Sequence, residues 1–239
     1  MKRGSAVPAF APDLTFEVPG AGRVSALLLR PERARSALTL AHGAGADMRH
    51  PFMEAIAERL ATRDIATLRY QFPYMEQRGE RPDPPAVLTA TVRAAVAAAG
   101  ERLPDLPLFA GGKSLGGRMT STAAAEAPLP GVRGIVFFGF PLHPPGQPGS
   151  SRARHLEAVG VPMLFLQGTR DALAEIELIR PVCERLGARA RLRVIEGADH
   201  SFHVLKRSGR TDGQVLDELA DSAAGWMNQV LAAEVKGGA

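Results

Sequence analysis

The stretch Gly112-Lys113-Ser114-Leu115-Gly116 follows an apolar run at 106–110 that has the length and composition of a buried strand. A G-x-S-x-G pattern between a strand and a helix predicts a turn so sharp that the backbone at the serine is strained. Small residues are needed two positions before and after the serine, because a Cβ at either position would collide with the turn. Both flanks of Ser114 are in fact double glycines. The pattern therefore predicts a nucleophile elbow with Ser114 at its tip.

Two further residues are candidates for the base and the acid that would act together with Ser114. Asp171 and His200 follow Ser114 in that order, and each comes just after the carboxyl end of a predicted strand, where ligands bind in open α/β sheets. A serine hydroxyl is a poor nucleophile until a base removes its proton. His200 is the predicted base and later acid, and Asp171 is predicted to fix the imidazole tautomer and stabilise its cation.

Other assignments of the acid and base stay open at this stage. Asp199 is the main alternative acid, although a direct neighbour of His200 has difficulty reaching its ring. His203 is the alternative base. His50 and His155 have no assigned partner and are expected at the solvated surface. Ser114 itself could be only a helix cap, which is a common role for serine.

An anionic tetrahedral intermediate needs fixed hydrogen-bond donors. The backbone N–H of Leu115 is the first predicted donor, because it follows the serine at a helix N-terminus. The small-residue loop 42–47 precedes the elbow in the chain and offers Ala44 as the second donor, with Gly45 next in preference. His42 is expected to shape this loop and not to act as a base.

Strand and helix patterns alternate from residue 37 onward, which predicts a mostly parallel sheet with helices on both faces. We therefore expect an α/β protein with three α/β/α layers, folded as a single domain over residues 1–239. Only about twenty residues separate the predicted strands 132–138 and 162–166, so no large cap domain is expected. Residues 71–85 are predicted as a loop, and a helix ending at Leu186 is predicted to start at or just before Pro181.

The order of Ser114, Asp171 and His200, together with the elbow, resembles the α/β-hydrolase superfamily over nearly the whole chain. Within it the chain resembles the small dienelactone-hydrolase-like branch. It is also similar to a group with a G-K-S-L-G-G elbow that includes a domain in a subunit of an animal histone-acetylating complex. The resemblance implies acyl transfer from a small carboxylic ester or thioester to water through a Ser114 acyl-enzyme. No cofactor or metal is required for that chemistry.

The residues of a substrate pocket are harder to predict. The Lys113 ammonium could lie near the pocket and favour an acidic substrate, or it could be tied to a local carboxylate or carbonyl. Phe72, Phe140 and His143 lie on two proline-rich loops and are predicted to line the pocket. Such loops are also common as stiff surface connections.

Charge, cysteine content and the length of apolar runs limit the partners and the cellular location that the sequence predicts. The net charge of +4 comes without a run of five like charges, so a nucleic-acid arm is not indicated. The single cysteine, Cys183, excludes an intramolecular disulfide. No apolar run approaches the ~20 residues of a membrane span, and Pro8 and Pro12 interrupt the segment where a signal peptide would need its apolar region. We expect a cytoplasmic protein with a small-molecule substrate and with no nucleic-acid or membrane partner. By analogy with the fold, a homodimer is also expected.

Three other classes of protein fit the sequence less well. A phosphate-binding loop would need glycine where Pro107 stands, and a dinucleotide-binding loop would need glycine where Met48 stands. A non-catalytic scaffold or binding module on the same fold is the remaining alternative. The presence of serine, aspartate and histidine together argues against it, because a scaffold does not need all three.

Overall fold

The computed structural model describes residues 14–237. The prediction that the N-terminal segment holds no signal peptide concerns residues outside this range. Eight strands within this range form one sheet. They are β1 (Leu14–Val18), β2 (Gly22–Leu29), β3 (Ser36–Ala41), β4 (Ile65–Tyr70), β5 (Leu108–Lys113), β6 (Val132–Phe138), β7 (Met163–Gly168) and β8 (Ala190–Ile195).

The strand order is β1-β2-β4-β3-β5-β6-β7-β8. β2 pairs antiparallel with both β1 and β4, and every other neighbouring pair is parallel. β5 lies near the centre, between β3 and β6. This arrangement places the carboxyl ends of β3, β5, β6 and β7 along one edge of the sheet.

Helices cover both faces. They are α1 (Pro51–Ala61), α2 (Pro73–Glu76), α3 (Pro85–Arg102), α4 (Leu115–Glu126), α5 (Ile176–Leu186) and α6 (Asp212–Gly237), with 3₁₀ helices at Ser151–Ala158, Gly187–Arg189 and Lys206–Ser208.

Strand β6 shows how the two faces are divided. Its side chains alternate, so that Ile135 and Phe137 pack with α3, α4 and α5 while Val136 and Phe138 pack with α1 and α6. All four are fully buried, as the sequence pattern of a strand in a parallel sheet predicts. The predicted three-layer α/β/α fold is confirmed.

The start of α1 illustrates how local sequence sets an element beside the elbow. Pro51 occupies the first helical position, which suits its fixed φ and missing N–H. The His50 ring caps the helix, because its Nδ1 accepts the N–H of Phe52 at 3.2 Å. Ile56 and Leu60, spaced by four, are buried against the sheet.

The connection from β6 to β7 contains a loop and the 3₁₀ helix Ser151–Ala158, and no inserted domain. The expected absence of a large cap therefore agrees with the structure. Separately, no helix among residues 14–237 is both long and apolar enough to cross a bilayer.

Two predicted elements were wrong in detail. Helix α5 begins at Ile176, so Pro181 lies inside it and not at its start. The N–H groups of Leu178 and Ile179 already bond to the Glu175 carbonyl, which closes the first turn before the proline. Ile179 and its apolar neighbours on the same face are buried, and that burial outweighs the one backbone bond that proline cannot donate.

The second error concerns residues 71–85, where α2 forms within the predicted loop. Pro73 starts this single turn, and the buried Tyr74 anchors it. The backbone N–H of Tyr74 donates to the Asp83 carboxylate at 2.8 Å, which holds the beginning and the end of residues 71–85 together. A contact of this kind joins residues nine apart and has no periodic signature.

Gly134 in β6 should be sensitive to substitution. A Cβ there would lie 2.6 Å from Cη2 of Trp226 and 3.1 Å from the Pro162 carbonyl oxygen. We expect Gly134→Ala to lower the free energy of unfolding by about 1–3 kcal/mol in urea titrations, and Gly134→Ala/Trp226→Phe to recover part of the loss. Gly100→Ala in α3, where nothing lies within 4 Å of the new Cβ, is the matched control. Equal stability of the two alanine variants would contradict the packing argument.

Candidate active site

Ser114 occupies the turn between β5 and α4 with φ 50° and ψ −116°. This conformation is strained for any residue with a side chain, and such strain persists only where surrounding structure enforces it. A Cβ on either Gly112 or Gly116 would lie 2.5 Å from the Ala41 carbonyl oxygen at the end of β3. The turn therefore packs directly on the neighbouring strand, and side chains at these two positions are sterically excluded.

The outer glycines of each pair have their own contacts. A Cβ on Gly111 would overlap the Val136 carbonyl of β6, and a Cβ on Gly117 would lie 2.8 Å from the Gly112 carbonyl oxygen. The double glycines therefore let the turn approach strands on both sides. Together they expose the Ser114 side chain at the carboxyl edge of the sheet.

Ser114, His200 and Asp171 form a continuous hydrogen-bonded chain. His200 Nδ1 lies 2.7 Å from Asp171 Oδ2, and His200 Nε2 lies 2.8 Å from Ser114 Oγ. The carboxylate can only accept, so Nδ1 carries the proton and Nε2 of the neutral ring is free to accept the serine proton. Residues 86 apart in sequence are thus aligned for proton transfer.

The Asp171 carboxylate is fully buried and held by several donors. Besides His200, it accepts the Leu173 N–H at 2.8 Å and the Gln167 side-chain N–H at 2.5 Å. Gln167 in turn accepts the N–H of Phe140 at 3.0 Å. Sequence reasoning missed Gln167, although a glutamine inside an otherwise apolar strand and four residues before Asp171 was a usable signal.

The alternative acid and base have other partners. Asp199 Oδ1 accepts the N–H groups of Ser201 and His203, so it caps its own loop and does not bond to the His200 ring. The His203 ring pairs with Asp212 at 2.9 Å. Neither residue joins the hydrogen-bonded chain.

The loop 42–47 lies against the elbow. A Cβ on Gly43 would be 3.6 Å from Cβ of Ser114, so this loop is in van der Waals reach of the serine. His42 is fully buried and shapes it: Nδ1 donates to the Gly43 carbonyl at 2.9 Å, and Nε2 accepts the Phe72 N–H at 3.1 Å. Burial lowers the pKa of His42 to about 4, which keeps the ring neutral in this structural role.

A cavity of about 170 Å³ opens beside Ser114. It is bounded by loop 42–47, the start of α1, the elbow and the histidine loop. The lining residues are Gly43, Ala44, Ala46, His50, Phe52, Met53, Lys113, Ser114, His200 and Ser201.

Of the four side chains predicted to line a pocket, only Lys113 borders this cavity. Phe72 and Phe140 are fully buried in the core, and Phe72 packs edge-on against the His42 ring. His143 is also buried, with Nε2 2.6 Å from Glu175 and Nδ1 2.8 Å from the Pro144 carbonyl oxygen. The structure therefore places these three side chains away from the cavity. The two phenylalanines turn into the core after their strands, His143 is tied to Glu175, and α1 supplies the cavity wall through Phe52.

Lys113 links the elbow to the histidine loop. Its Nζ donates to the His200 carbonyl at 2.6 Å. The ammonium also lies 5.9 Å from the Phe52 ring centre and 5.4 Å from that of Phe202, and the two rings stack on each other. Lys113 thus both borders the cavity and is tied to a local carbonyl, and a preference for an acidic substrate stays a prediction.

The surroundings of the ammonium disfavour its charge. Burial lowers the pKa of Lys113 to about 8, while the carboxylates of Asp171 and Asp199 act in the opposite direction. The charged group is retained at neutral pH close to the hydrogen-bonded chain.

A second serine–histidine pair lies about two turns farther along α4. Ser121 Oγ donates to the Arg118 carbonyl at 2.9 Å and lies 2.8 Å from Nε2 of His155. The sequence suggested a solvated His155, but in the structure its ring contacts Ser121. Ser121 is buried within α4, and among residues 14–237 no carboxylate pairs with the His155 ring, so this pair lacks the features of an activated nucleophile.

The fold and the exposed serine define a class, and a comparison with family models identifies it. The model described as alpha/beta hydrolase domain matches residues 34–228. The chain belongs to that family, as the resemblance of its sequence implied. The narrower likeness to the small dienelactone-hydrolase-like branch is shown at the level of the fold. The likeness to a domain of a histone-acetylating complex stays a prediction.

Solved structures with the same fold cover nearly the whole chain. A dienelactone hydrolase from Anabaena variabilis has a TM-score of 0.74 at 24% identity, covering 93% of this chain and 98% of that one. An α/β serine hydrolase homologue from Coxiella burnetii has a TM-score of 0.73 at 17% identity, covering 90% and 98%. A serine hydrolase without a lid from Xanthomonas campestris has a TM-score of 0.69 at 20% identity, covering 92% and 96%. At these identities the likeness shows the fold.

The lowered pKa of Lys113 predicts a pH dependence of stability. Between about pH 8 and the ordinary lysine value, the unfolded chain binds this proton more tightly than the folded chain. Stability due to this group is therefore gained as pH rises through that window and lost as pH falls toward 8. We expect the free energy of unfolding of wild type, relative to Lys113→Met, to increase with pH there in urea titrations. Exposed Lys206→Met is the control, and parallel curves for wild type and Lys113→Met would contradict the prediction.

Proposed function

We propose that the protein is a serine hydrolase that cleaves a small carboxylic ester or thioester through an acyl-enzyme on Ser114. The observation that carries the proposal is the chain of hydrogen bonds of 2.8 and 2.7 Å that joins Ser114 through His200 to the buried Asp171. A serine on a strained turn has other uses, but this alignment with an imidazole oriented by a carboxylate is what activation of a hydroxyl requires.

The proposed reaction has two steps. Ser114 Oγ attacks the carbonyl carbon while its proton passes to His200 Nε2, and collapse of the tetrahedral intermediate breaks the C–O or C–S bond. The leaving alcohol or thiol takes the proton from Nε2. Water then attacks the acyl-enzyme by the same route, with His200 again as base, and releases the carboxylic acid. Asp171 stabilises the imidazolium in both steps.

The oxyanion of each intermediate needs donors close to Ser114. The N–H of Leu115 is suited to this role, because the first N–H groups of a helix lack intrahelical partners and lie at its positive end. Ala44 lines the Ser114 cavity, whereas Gly45 borders a separate cleft. This supports Leu115 and Ala44 as the pair, with Gly45 the weaker candidate. Loss of one such donor costs roughly 3 kcal/mol of transition-state stabilisation.

The size of the cavity supports a small substrate group. Its volume of about 170 Å³ is below the ~300 Å³ at which drug-sized ligand sites begin. Phe52 and Met53 give the cavity an apolar wall, which suits a short acyl or alcohol group of the substrate. The cytoplasmic location, the homodimer and the absence of nucleic-acid or membrane partners remain predictions.

Labelling with a fluorophosphonate, read by intact mass, tests the nucleophile directly. We expect a single adduct on wild type and none on Ser114→Ala or His200→Ala, because the reagent needs an activated serine. Ser121→Ala is the matched control, since Ser121 also bonds to a histidine yet is buried within a helix. It should label like wild type. A folded wild-type protein that does not label would favour the non-catalytic scaffold, and labelling that survives Ser114→Ala would place the nucleophile elsewhere.

A matched pair of substitutions tests the acid. Asp171→Asn removes the negative charge and replaces one carboxylate oxygen with an N–H donor, so the His200 tautomer is no longer fixed. A loss of about 10⁴-fold in kcat on 4-nitrophenyl acetate is expected. Asp199→Asn alters a loop cap with no bond to the ring and should keep most of the rate. The two variants are compared at equal folded fraction, checked by circular dichroism. If Asp199→Asn showed the larger loss, the acid would have to be reassigned.

A further inference from the structure

The cavity beside Ser114 has a polar side on which most groups are already bonded to one another. Lys113 donates to the His200 carbonyl at 2.6 Å, and the His200 ring lies 2.8 Å from the serine hydroxyl. Two polar side chains of the lining take no part in these bonds, and they are His50 and Ser201. A substrate group that enters the cavity therefore meets these two side chains beside the reactive serine.

His50 is fixed at the cavity through its backbone and its neighbours. Its N–H donates to the Asp47 carbonyl at 3.2 Å, and its own carbonyl accepts the N–H of Glu54 at 3.1 Å in the first turn of α1. Two residues farther on, the Phe52 ring packs edge-on against Phe138 at the end of β6, with the ring centres 6.0 Å apart. The N-terminus of α1 is thus anchored to the sheet, and His50 has a defined place on the cavity lining.

The cap of α1 fixes the tautomer of the His50 ring. Nδ1 lies 3.2 Å from the backbone nitrogen of Phe52. Because a backbone N–H can only donate, Nδ1 is the unprotonated acceptor, and in a neutral imidazole the proton is then on Nε2. No hydrogen bond joins Nε2 to any group of residues 14–237, and the side chain is exposed. His50 therefore offers a free N–H donor on the lining of the Ser114 cavity.

Ser201 is a less selective group than His50. Its backbone N–H donates to Asp199 Oδ1 at 2.8 Å, which fixes the main chain and leaves the hydroxyl free to rotate. A rotating hydroxyl donates or accepts according to its partner. Nε2 of the capped His50 ring can only donate. Of the two polar side chains, His50 is the one that distinguishes an acceptor from a group that cannot accept.

We propose that His50 is a specificity-determining residue, whose Nε2–H donates to a second, uncharged oxygen in the part of the substrate that occupies the cavity. An ether, hydroxyl or carbonyl oxygen fits this role. The inference rests on the proposed esterase function and narrows its substrates to short esters or thioesters that carry such an oxygen. Phe52 and Met53 form an apolar wall for the carbon atoms, and the volume of about 170 Å³ keeps a short chain close to the lining.

Two pairs of esters test the donor. 4-Nitrophenyl 3-methoxypropanoate and 4-nitrophenyl pentanoate differ by an ether oxygen in place of a methylene group in the acyl chain, and 2-methoxyethyl acetate and butyl acetate differ in the same way in the alcohol. The ratio of kcat/KM within a pair is compared between wild type and variant, which cancels the intrinsic reactivities of the esters. We expect His50→Ser to lower the ratio for one pair by about three- to tenfold, as for one hydrogen bond between neutral groups. Unchanged ratios for both pairs would overturn the proposal.

Serine is chosen at position 50 because it caps helices well, so that α1 keeps its cap while the imidazole N–H is lost. His203→Ser is the matched control, since His203 is also exposed but pairs with Asp212 and does not line the cavity. It should leave both ratios unchanged, and an equal effect of His203→Ser would contradict a defined contact. If Ser201→Ala lowers the ratio and His50→Ser does not, Ser201 binds the oxygen and the assignment to His50 is wrong. A fall in both members of a pair at an unchanged ratio would show a structural role only.

The tautomer of His50 is tested without turnover. In protein labelled with nitrogen-15 histidine, the ring signals of His50 are assigned by their loss in His50→Ser, and the nitrogen shifts distinguish a protonated from an unprotonated ring nitrogen. We expect a protonated Nε2 and an unprotonated Nδ1 at about pH 8, above the ordinary titration range of histidine. A protonated Nδ1 would overturn the proposal, whether or not the protein hydrolyses esters.

A titration with two ketones separates this inference from the esterase proposal. 4-Methoxy-2-butanone and 2-hexanone again differ by one ether oxygen, and neither is hydrolysed. At equal concentration the methoxy ketone should shift the Nε2 signal of His50 more than 2-hexanone does. That result without turnover of any ester would support the donor and contradict the esterase. Turnover of the esters with equal shifts by the two ketones would support the esterase and contradict the role of His50.

Discussion

The packing of the elbow glycines on neighbouring backbone is the constraint on which the rest of the site depends. Gly112 and Gly116 meet the Ala41 carbonyl so closely that neither position has room for a side chain. This contact holds Ser114 at φ 50° and leaves its side chain projecting from the sheet edge. The cost of the strained turn is offset by the surrounding parallel sheet, in which β5 is paired on both sides. A looser sheet would let the turn relax and withdraw the serine.

Two networks then align the remaining groups to that serine. On one side, the Gln167 amide and the Leu173 N–H hold the Asp171 carboxylate, which orients the His200 ring. On the other, the Lys113 ammonium holds the backbone of His200 through its carbonyl. The histidine is thus fixed by its ring and by its main chain. Since Lys113 adjoins Ser114, the base and the nucleophile are tied to the same turn.

Much of the fold and part of the site could be predicted from local pattern. Alternating strand and helix signals led to the three layers, and the order of Ser114, Asp171 and His200 led to the residues that the structure brings into one hydrogen-bonded chain. Prediction failed where contacts are not local. Phe72 and Phe140 were expected at a pocket because they follow strands, yet they turn into the core. Helix α5 continues through Pro181, because burial of its apolar face outweighs the missing bond.

Local sterics and periodicity are enough to specify the elbow, the parallel sheet and the chain order of the reactive residues. Which groups surround them depends on long-range packing. The cavity wall from α1, the buried Gln167 and the tie between Lys113 and the His200 carbonyl each join residues far apart in the chain. Such neighbours follow from how strands and helices stack, and stacking distances leave no periodic signal in a single sequence.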